Sequence, residues 1–386
     1  MTKSRHTMQR FAALAAAGAL VLAACGGDDD SADDGAETTE ETTEETIETV
    51  AAGAGADCEV DQVDGDLFFY NWSEYMDPEL IEKFEDEYGV TVTEDFYDSN
   101  EAMQPIVSAG RSGYDVIVPS DYMVSIMIQD GTLMPLNKDA IPNYANLGDE
   151  FRSGLPYDPE GAFVAPYQFG TTGLGVNLNE LGEDAPRSWA LVFDPEISAA
   201  YSGQITLLND PRETLGAALK YLGYSLNTTD ETQLAEAREL VADAVSRIAA
   251  FDSDQYSNLL VSGETVVAHG YSGNLINAVD ELDGYEYFVP DEGGTIWIDN
   301  MGIVFDAPNP CTAHTFINFM LDAENGAQLT EWVLYGSPNE AAKEFLPDEL
   351  VNDDRLFPTD TSMYEVITDT GDFEVNFSDA FSEAKG

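Results

Sequence analysis

From Asp66 onward the chain alternates two kinds of apolar spacing. Asp66-Leu67-Phe68-Phe69-Tyr70 is a short continuous run and predicts a strand. After a polar loop, Leu80, Ile81, Phe84 and Tyr88 recur every three or four residues, which places them on one face of a helix. Asp77-Pro78 marks its start: the Asp side chain can accept from free N–H groups of the first turn, and Pro has no N–H to leave unpaired there. Gly89 is placed to end it. Val90-Thr91-Val92 resumes extended chain, and Tyr114-Asp115-Val116-Ile117-Val118 follows, broken by Pro119-Ser120. Further on, Gln204-Ile205-Thr206-Leu207-Leu208 precedes a capped helix from Asp210, and Thr265-Val266-Val267-Ala268 precedes a helix from Ser272. This alternation predicts an α/β protein, with parallel strands covered by helices. Two glycine-rich passages, Gly170-Thr171-Thr172-Gly173-Leu174-Gly175 and Glu292-Gly293-Gly294, divide the chain. They read as crossings between two lobes, where backbone torsions must change easily. No internal repeat is visible.

The first 24 residues follow neither pattern. Lys3, Arg5 and Arg10 form a basic start, and Phe11 to Ala24 is an apolar run too short for a stable membrane span. It ends in Leu22-Ala23-Ala24-Cys25, which looks like a bacterial lipobox, so residues 1–24 read as an export signal and Cys25 as the acylated N-terminus. Residues 26–57 hold no Lys, Arg or aromatic side chain. Such a segment cannot bury enough apolar surface to offset its ordering entropy, so 25–57 reads as a disordered acidic tether. A flexible coil of that length reaches about 30 Å.

Composition adds two limits. The chain has 386 residues, 44% hydrophobic and 11% aromatic, enough for sizeable cores divided between two lobes. It carries 74 acidic against 15 basic side chains, a formal charge of −59. Nucleic acid and anionic membrane surfaces would repel it, and a solvated acidic surface accounts for most of the excess. A cationic ligand is compatible with this charge without being demonstrated by it. Beyond Cys25 only Cys58 and Cys311 remain, and outside the cytoplasm such a pair is expected as a disulfide joining the first strand to a distant helix start. With three His in the chain, no metal site is expected and no cofactor is called for.

Asn71-Trp72-Ser73-Glu74-Tyr75 lies just after the first predicted strand, where open α/β sheets bind ligands. Further motifs are Tyr97-Asp98-Ser99-Asn100-Glu101, Tyr114 to Ser120, Ser188-Trp189 with Asp194-Pro195, and Asp210-Pro211-Arg212-Glu213. Gly293 to Asp299 and Tyr335-Gly336-Ser337-Pro338-Asn339 complete the set. In order and spacing, from about Leu67 to Phe357, the chain resembles the periplasmic spermidine/putrescine-binding proteins. The resemblance implies a two-lobe periplasmic-binding-protein (type II-like) fold, each lobe a mixed sheet flanked by helices, with the ligand between lobes. The expected lobes are 58–172 with 297–345, and 173–296 with 346–386.

In that family a polyamine lays its methylenes on aromatic rings and its ammonium groups against carboxylates. The matching positions are Trp72, Tyr75, Ser120, Tyr122, Asp210, Glu213, Tyr271, Trp297, Asp299 and Tyr335, with Asp369 at a poorly aligned position near the end. Trp72 and Tyr75 would form an aromatic wall, and Ser120 and Tyr122 supply hydroxyls and a ring face; Ser120 read alone is equally a turn or cap residue. Asp210 and Glu213 read alone are a capping box, and a cap at a strand's carboxyl end can also face the cleft. Trp297 and Asp299 alternate with Ile296 and Ile298, which sets ring and carboxylate on one face of a strand. Tyr271 stands where the family shows Trp, and Trp is the better partner for a cation.

An enzyme is the first rival. There is no Gly-x-Ser-x-Gly elbow, His-Glu-x-x-His or phosphate-cradling Gly-x-x-x-x-Gly-Lys sequence, and Gly270-Tyr271-Ser272-Gly273 has its second Gly misplaced for a nucleophile turn. No catalysis is expected. A binder of another small cationic or amine-containing solute shares the architecture and stays open. The resemblance implies a monomer, exported and held to the membrane only by the lipid on Cys25, that hands its polyamine to an ABC permease driven by a separate ATPase.

Overall fold

The computed structural model describes residues 56–280 and 282–386. The export signal, Cys25 and the tether up to residue 55 lie outside the described residues. Within them, eleven strands join in one sheet. They are β1 Leu67–Trp72, β2 Val92–Tyr97, β3 Val116–Ile117, β4 Leu133–Met134, β5 Val164–Asn177 and β6 Ile205–Leu207, then β7 Ala250–Phe251, β8 Val267–Tyr271, β9 Tyr285–Phe288, β10 Gly294–Val304 and β11 Tyr364–Glu365. The main order is β2-β1-β3-β10-β5-β8-β6-β7, with β4 and β11 on β10 and β9 on β5.

The sheet has two parallel wings. In one, β1 pairs in parallel with β2 and β3; in the other, β6 pairs in parallel with β7 and β8. Between them run β5 and β10, antiparallel to one another from Gly302 opposite Val164 to Ile296 opposite Thr171. Strand β5 leaves β10 at Thr171 and takes up β8 at Thr172. The result is a mixed α/β architecture, as expected, although both wings belong to one sheet where a separate mixed sheet was expected for each lobe. Leu67, Phe69, Leu80, Phe84, Phe316 and Ile303 form a core in the first wing. Trp189, Ile205, Leu215, Val241 and Phe377 form one in the second. Each such side chain taken fully from water contributes about 1.5–3 kcal/mol.

Local signals resolve into these elements with small shifts. The helix Pro78–Tyr88 is capped by Asp77, which accepts from Glu79 N, and is closed by Gly89 at φ 70°. The strand expected from Tyr114 shrinks to Val116–Ile117. Its Asp115 is instead committed to tying β1 to the start of the helix Pro310–Met320, accepting from Phe68 N at 3.0 Å and Asn309 N at 2.6 Å. The run at Thr265 starts its strand later and carries it to Tyr271.

The glycine-rich passage at 170–175 lies inside β5 rather than in a loop, and its glycines do not supply the expected torsional freedom. They supply room. A Cβ on Gly170 would sit 2.7 Å from the Trp297 ring and 2.8 Å from Tyr335. One on Gly173 would sit 2.4 Å from the Phe288 carbonyl. Gly293, at φ 99°, does turn the chain into β10.

Cys58 and Cys311 form a disulfide with Cα atoms 5.3 Å apart. It fastens the segment before β1 to the first turn of the helix Pro310–Met320. Asp64 reinforces the joint by accepting from Cys311 N and Thr312 N, so that helix is capped from another part of the chain.

Candidate ligand-binding site

The carboxyl ends of both parallel wings point at one place. Trp72 ends β1, Tyr97 ends β2 and Ser120 follows β3; Asp210 follows β6, Ser253 and Asp254 follow β7, and Tyr271 ends β8. Together with Trp297 and Asp299 of β10 and with Tyr335, they line a single pocket. Strand ends expose loop backbone and side chains beyond the last ladder bond, so the topology itself assembles this cluster.

The rings brace one another edge to face, the arrangement their quadrupoles favour. Tyr75 stands at 90° to Tyr335 with centroids 5.1 Å apart, and Trp297 lies 5.2 Å from Tyr335. Tyr271 meets Trp297 at 5.9 Å and Trp72 at 6.2 Å. The polar edges of Trp72 and Tyr335 are committed to the protein. Trp72 Nε1 donates to the Val118 carbonyl at 2.9 Å, and the Tyr335 hydroxyl to Asn274 Oδ1 at 2.5 Å.

Among the described residues six carboxylates line the pocket, Asp98, Asp121, Asp210, Glu213, Asp254 and Asp299, and no Lys, Arg or His does. Asp299 is 5% exposed. A register shift between Asp299 and Asn300 in β10 falls at this carboxylate. Its Oδ1 accepts from Ser120 Oγ at 2.7 Å, and Ser120 Oγ accepts in turn from Asn100 Nδ2 at 3.0 Å. Burial raises the Asp299 carboxyl to about 7, although its hydroxyl neighbours Ser120 and Tyr75 pull it down. Asp121 accepts from Tyr122 N at 2.8 Å and Ile298 N at 3.3 Å, and burial pushes it up to about 8.

Asp210 does cap its helix, Pro211–Leu222, accepting from Glu213 N at 2.9 Å. Glu213 does not complete a capping box. Its oxygens turn away to accept from Thr172 Oγ1 at 3.0 Å and Thr295 Oγ1 at 2.9 Å. Burial lifts Glu213 to about 7 and holds Asp210 well above the usual carboxylate range. Desolvated carboxylates without a positive neighbour in the cavity make a site that a cation completes.

Ten of the eleven expected contacts meet here: Trp72, Tyr75, Ser120, Tyr122, Asp210, Glu213, Tyr271, Trp297, Asp299 and Tyr335. Asp369 does not. It lies outside the cleft, accepting from Gln129 Nε2 and Gly371 N, in a groove beside the C-terminal helix. The same segment reaches the pocket two residues earlier, with Ile367. Arg212, between the two acids in sequence, is buried outside the pocket lining, paired with Glu374 at 2.6 Å and over the Tyr122 and Phe377 rings. The expectation omits Tyr97, Asp98, Asp121, Ser253, Asp254 and Tyr256. Tyr97 and Asp98 stand at the end of β2 and Asp254 just past β7, so the strand-end rule that picked Trp72 would have reached them.

Residues 79–359 match the model of the bacterial extracellular solute-binding proteins. A putrescine/cadaverine-binding protein of Pseudomonas aeruginosa is 36% identical over 327 residues, 82% of this chain and 90% of the relative. A spermidine/putrescine-binding periplasmic protein of Salmonella typhimurium is 34% identical over 322 residues, covering 83% and 91%. Among solved structures, the lipoprotein Tp0655 of Treponema pallidum superposes with a TM-score of 0.71 at 30% identity, over 83% of this chain and 99% of the other. The spermidine/putrescine ABC transporter substrate-binding protein PotD of Streptococcus pneumoniae does so with 0.65 at 34%, over the same shares.

Proposed function

This chain belongs to the bacterial extracellular solute-binding proteins, and we propose that it captures a polyamine, spermidine or putrescine, outside the cytoplasm for delivery to an ABC importer. The observation that carries the reading is a pocket lined, among the described residues, by six carboxylates and eight aromatic side chains and by no basic one. A polyamine presents ammonium groups joined by methylenes. Ring faces attract the cations and cover the methylenes, while buried carboxylates take the charges that would otherwise be stranded in a low dielectric. The relatives that carry polyamine names support the same reading.

The pocket lies between the proposed lobes, 58–172 with 297–345 and 173–296 with 346–386. Hydrogen bonds already cross the cleft, from Asn209 Nδ2 to Asp98 at 2.8 Å and from Asn274 Nδ2 to Glu74 at 3.3 Å. A ligand touching both lobes favours this closed arrangement by the contacts it makes only there. The closed monomer, tethered by lipid on Cys25, then docks on a permease with its own ATPase. The protein binds and releases its ligand unchanged and catalyses nothing.

Thermal unfolding of residues 58–386 tests the ligand class. Putrescine, cadaverine, spermidine, spermine, amino acids and sugars are compared at fixed concentration. A ligand at a hundred times its Kd stabilises by about 2.7 kcal/mol, a readable rise in Tm. A rise with polyamines alone is expected, and their ranking separates diamine from triamine. A rise with an amino acid or sugar instead would retain the architecture and discard the ligand.

A further inference from the structure

Two threonines, neither among the expected ligand contacts, sit where the site meets the strands that pass between the wings. Thr172 belongs to β5 and Thr295 to β10, and both are buried. Thr172 Oγ1 accepts the indole N–H of Trp297 at 3.1 Å and donates to Glu213 Oε1 at 3.0 Å. Thr295 Oγ1 donates to Glu213 Oε2 at 2.9 Å. An indole N–H can only donate, so the Thr172 oxygen receives it and its own proton goes to the carboxylate. Each oxygen of Glu213 thus holds one hydroxyl, one from each crossing strand. That is why Glu213 leaves the reciprocal half of a capping box unmade.

We propose that Thr172 and Thr295 are positioning residues for the ligand's ammonium group: together they aim the Glu213 carboxylate into the pocket, and Thr172 locks the Trp297 ring to that same carboxylate. The proposal rests on the polyamine reading. Ring and acid come from different elements, β10 and the helix Pro211–Leu222, and a single hydroxyl on a third fixes their relation. Hydroxyl donation also favours the ionised acid. That help is needed, because Glu213 stands in the field of Glu101, Asp121 and Asp299 from other elements and of Asp210 on its own. Arg212 opposes them, and Tyr271 and Tyr287 lie in the field of the same carboxylate. Without the two threonine donors the Glu213 carboxyl would stand higher still, and an incoming ammonium group would have to displace its proton more often at neutral pH.

Thr172→Val and Thr295→Val keep the shape of each side chain and remove its donor. Two readouts are compared with wild type: spermidine and putrescine affinity from pH 5.5 to 9, and the titration of Glu213 in ligand-free protein labelled with ¹³C-glutamate. The Glu213 resonance is assigned by its loss in Glu213→Gln. Each Val variant is expected to bind about 10- to 100-fold more weakly at pH 7, the range for hydrogen bonds to a charged group. Its affinity should level off at higher pH than wild type, and Glu213 should titrate higher; Thr172→Ser and Thr295→Ser should restore both. A merely structural role would lower Tm and leave both pH profiles in place. Wild-type titration of Glu213 in both Val variants overturns the proposal. If wild-type protein binds no polyamine, the ligand reading falls, and the ligand-free titration still decides what the threonines do. Thr295→Val leaves the indole bond intact, so it carries the test even where Thr172→Val disturbs β5.

Discussion

At Asp299, burial and a hydroxyl donor act in opposite directions, and the balance leaves the carboxyl near 7. A bound ammonium group tips that balance toward the anion. Asp299→Asn keeps the outline of the side chain and removes its charge, and is expected to weaken polyamine binding by about 2–5 kcal/mol in titration calorimetry. The same reasoning fixes the sign of the pH dependence. Asp299 and Glu213 near 7 and Asp121 near 8 are protonated at pH 5, so an incoming ammonium must displace protons there. Affinity should therefore rise from pH 5 to 8, and binding at pH 7 should release protons. Calorimetry in two buffers of different ionisation heat measures the number released. Trp297 and Asp299 were legible because a two-residue alternation specifies a shared face. Asp121 was not: its place depends on Ile298 N–H arriving from β10, 177 residues away in sequence. Asp369 was assigned by alignment through a poorly matched stretch, and its side chain is spent on Gln129 and Gly371 instead.

Elements whose signals are local were read most easily. The helix Pro78–Tyr88 carries its cap, its apolar face and its closing glycine within 13 residues, and all three act as their chemistry predicts. The long strand β5 was not legible as one element. Gly170, Gly173 and Gly175 suggest a flexible joint in one dimension, and only the folded chain shows Trp297 and Tyr335 pressed against Gly170, Phe288 against Gly173 and Leu275 against Gly175. Gly170→Ala tests this close approach. Its methyl group would enter the Trp297 and Tyr335 rings, so ligand affinity should fall at least about tenfold while far-UV circular dichroism stays that of wild type, because an extended strand accepts Ala. Unchanged affinity would mean the rings yield freely and are not a fixed wall.

At the scale of the whole molecule, the alternation of strand and helix spacing announced an α/β protein, and the length announced more chain than one core can use; the two wings hold separate cores. The order of strands, and the passage of β5 and β10 between the wings, depends on pairings between residues far apart in sequence, such as Gly302 with Ile117 and with Val164, that no local pattern encodes. The Cys58–Cys311 bond closes one such distance, a separation of 253 residues. Restricting the unfolded chain that way contributes about 2–5 kcal/mol, so Cys58→Ser with Cys311→Ser should lower the urea midpoint clearly and leave ligand affinity nearly unchanged, since both cysteines lie outside the pocket. The paired strands have a mechanical consequence as well. One connecting strand would leave the proposed lobes a ball joint; two lying side by side and hydrogen-bonded would make the leaf of a door between them, stiff to twist and swinging about one axis. A pair of fluorophores, one on each wing, should then report opening along a single coordinate, which makes the molecule a natural frame for an optical gauge of its own ligand.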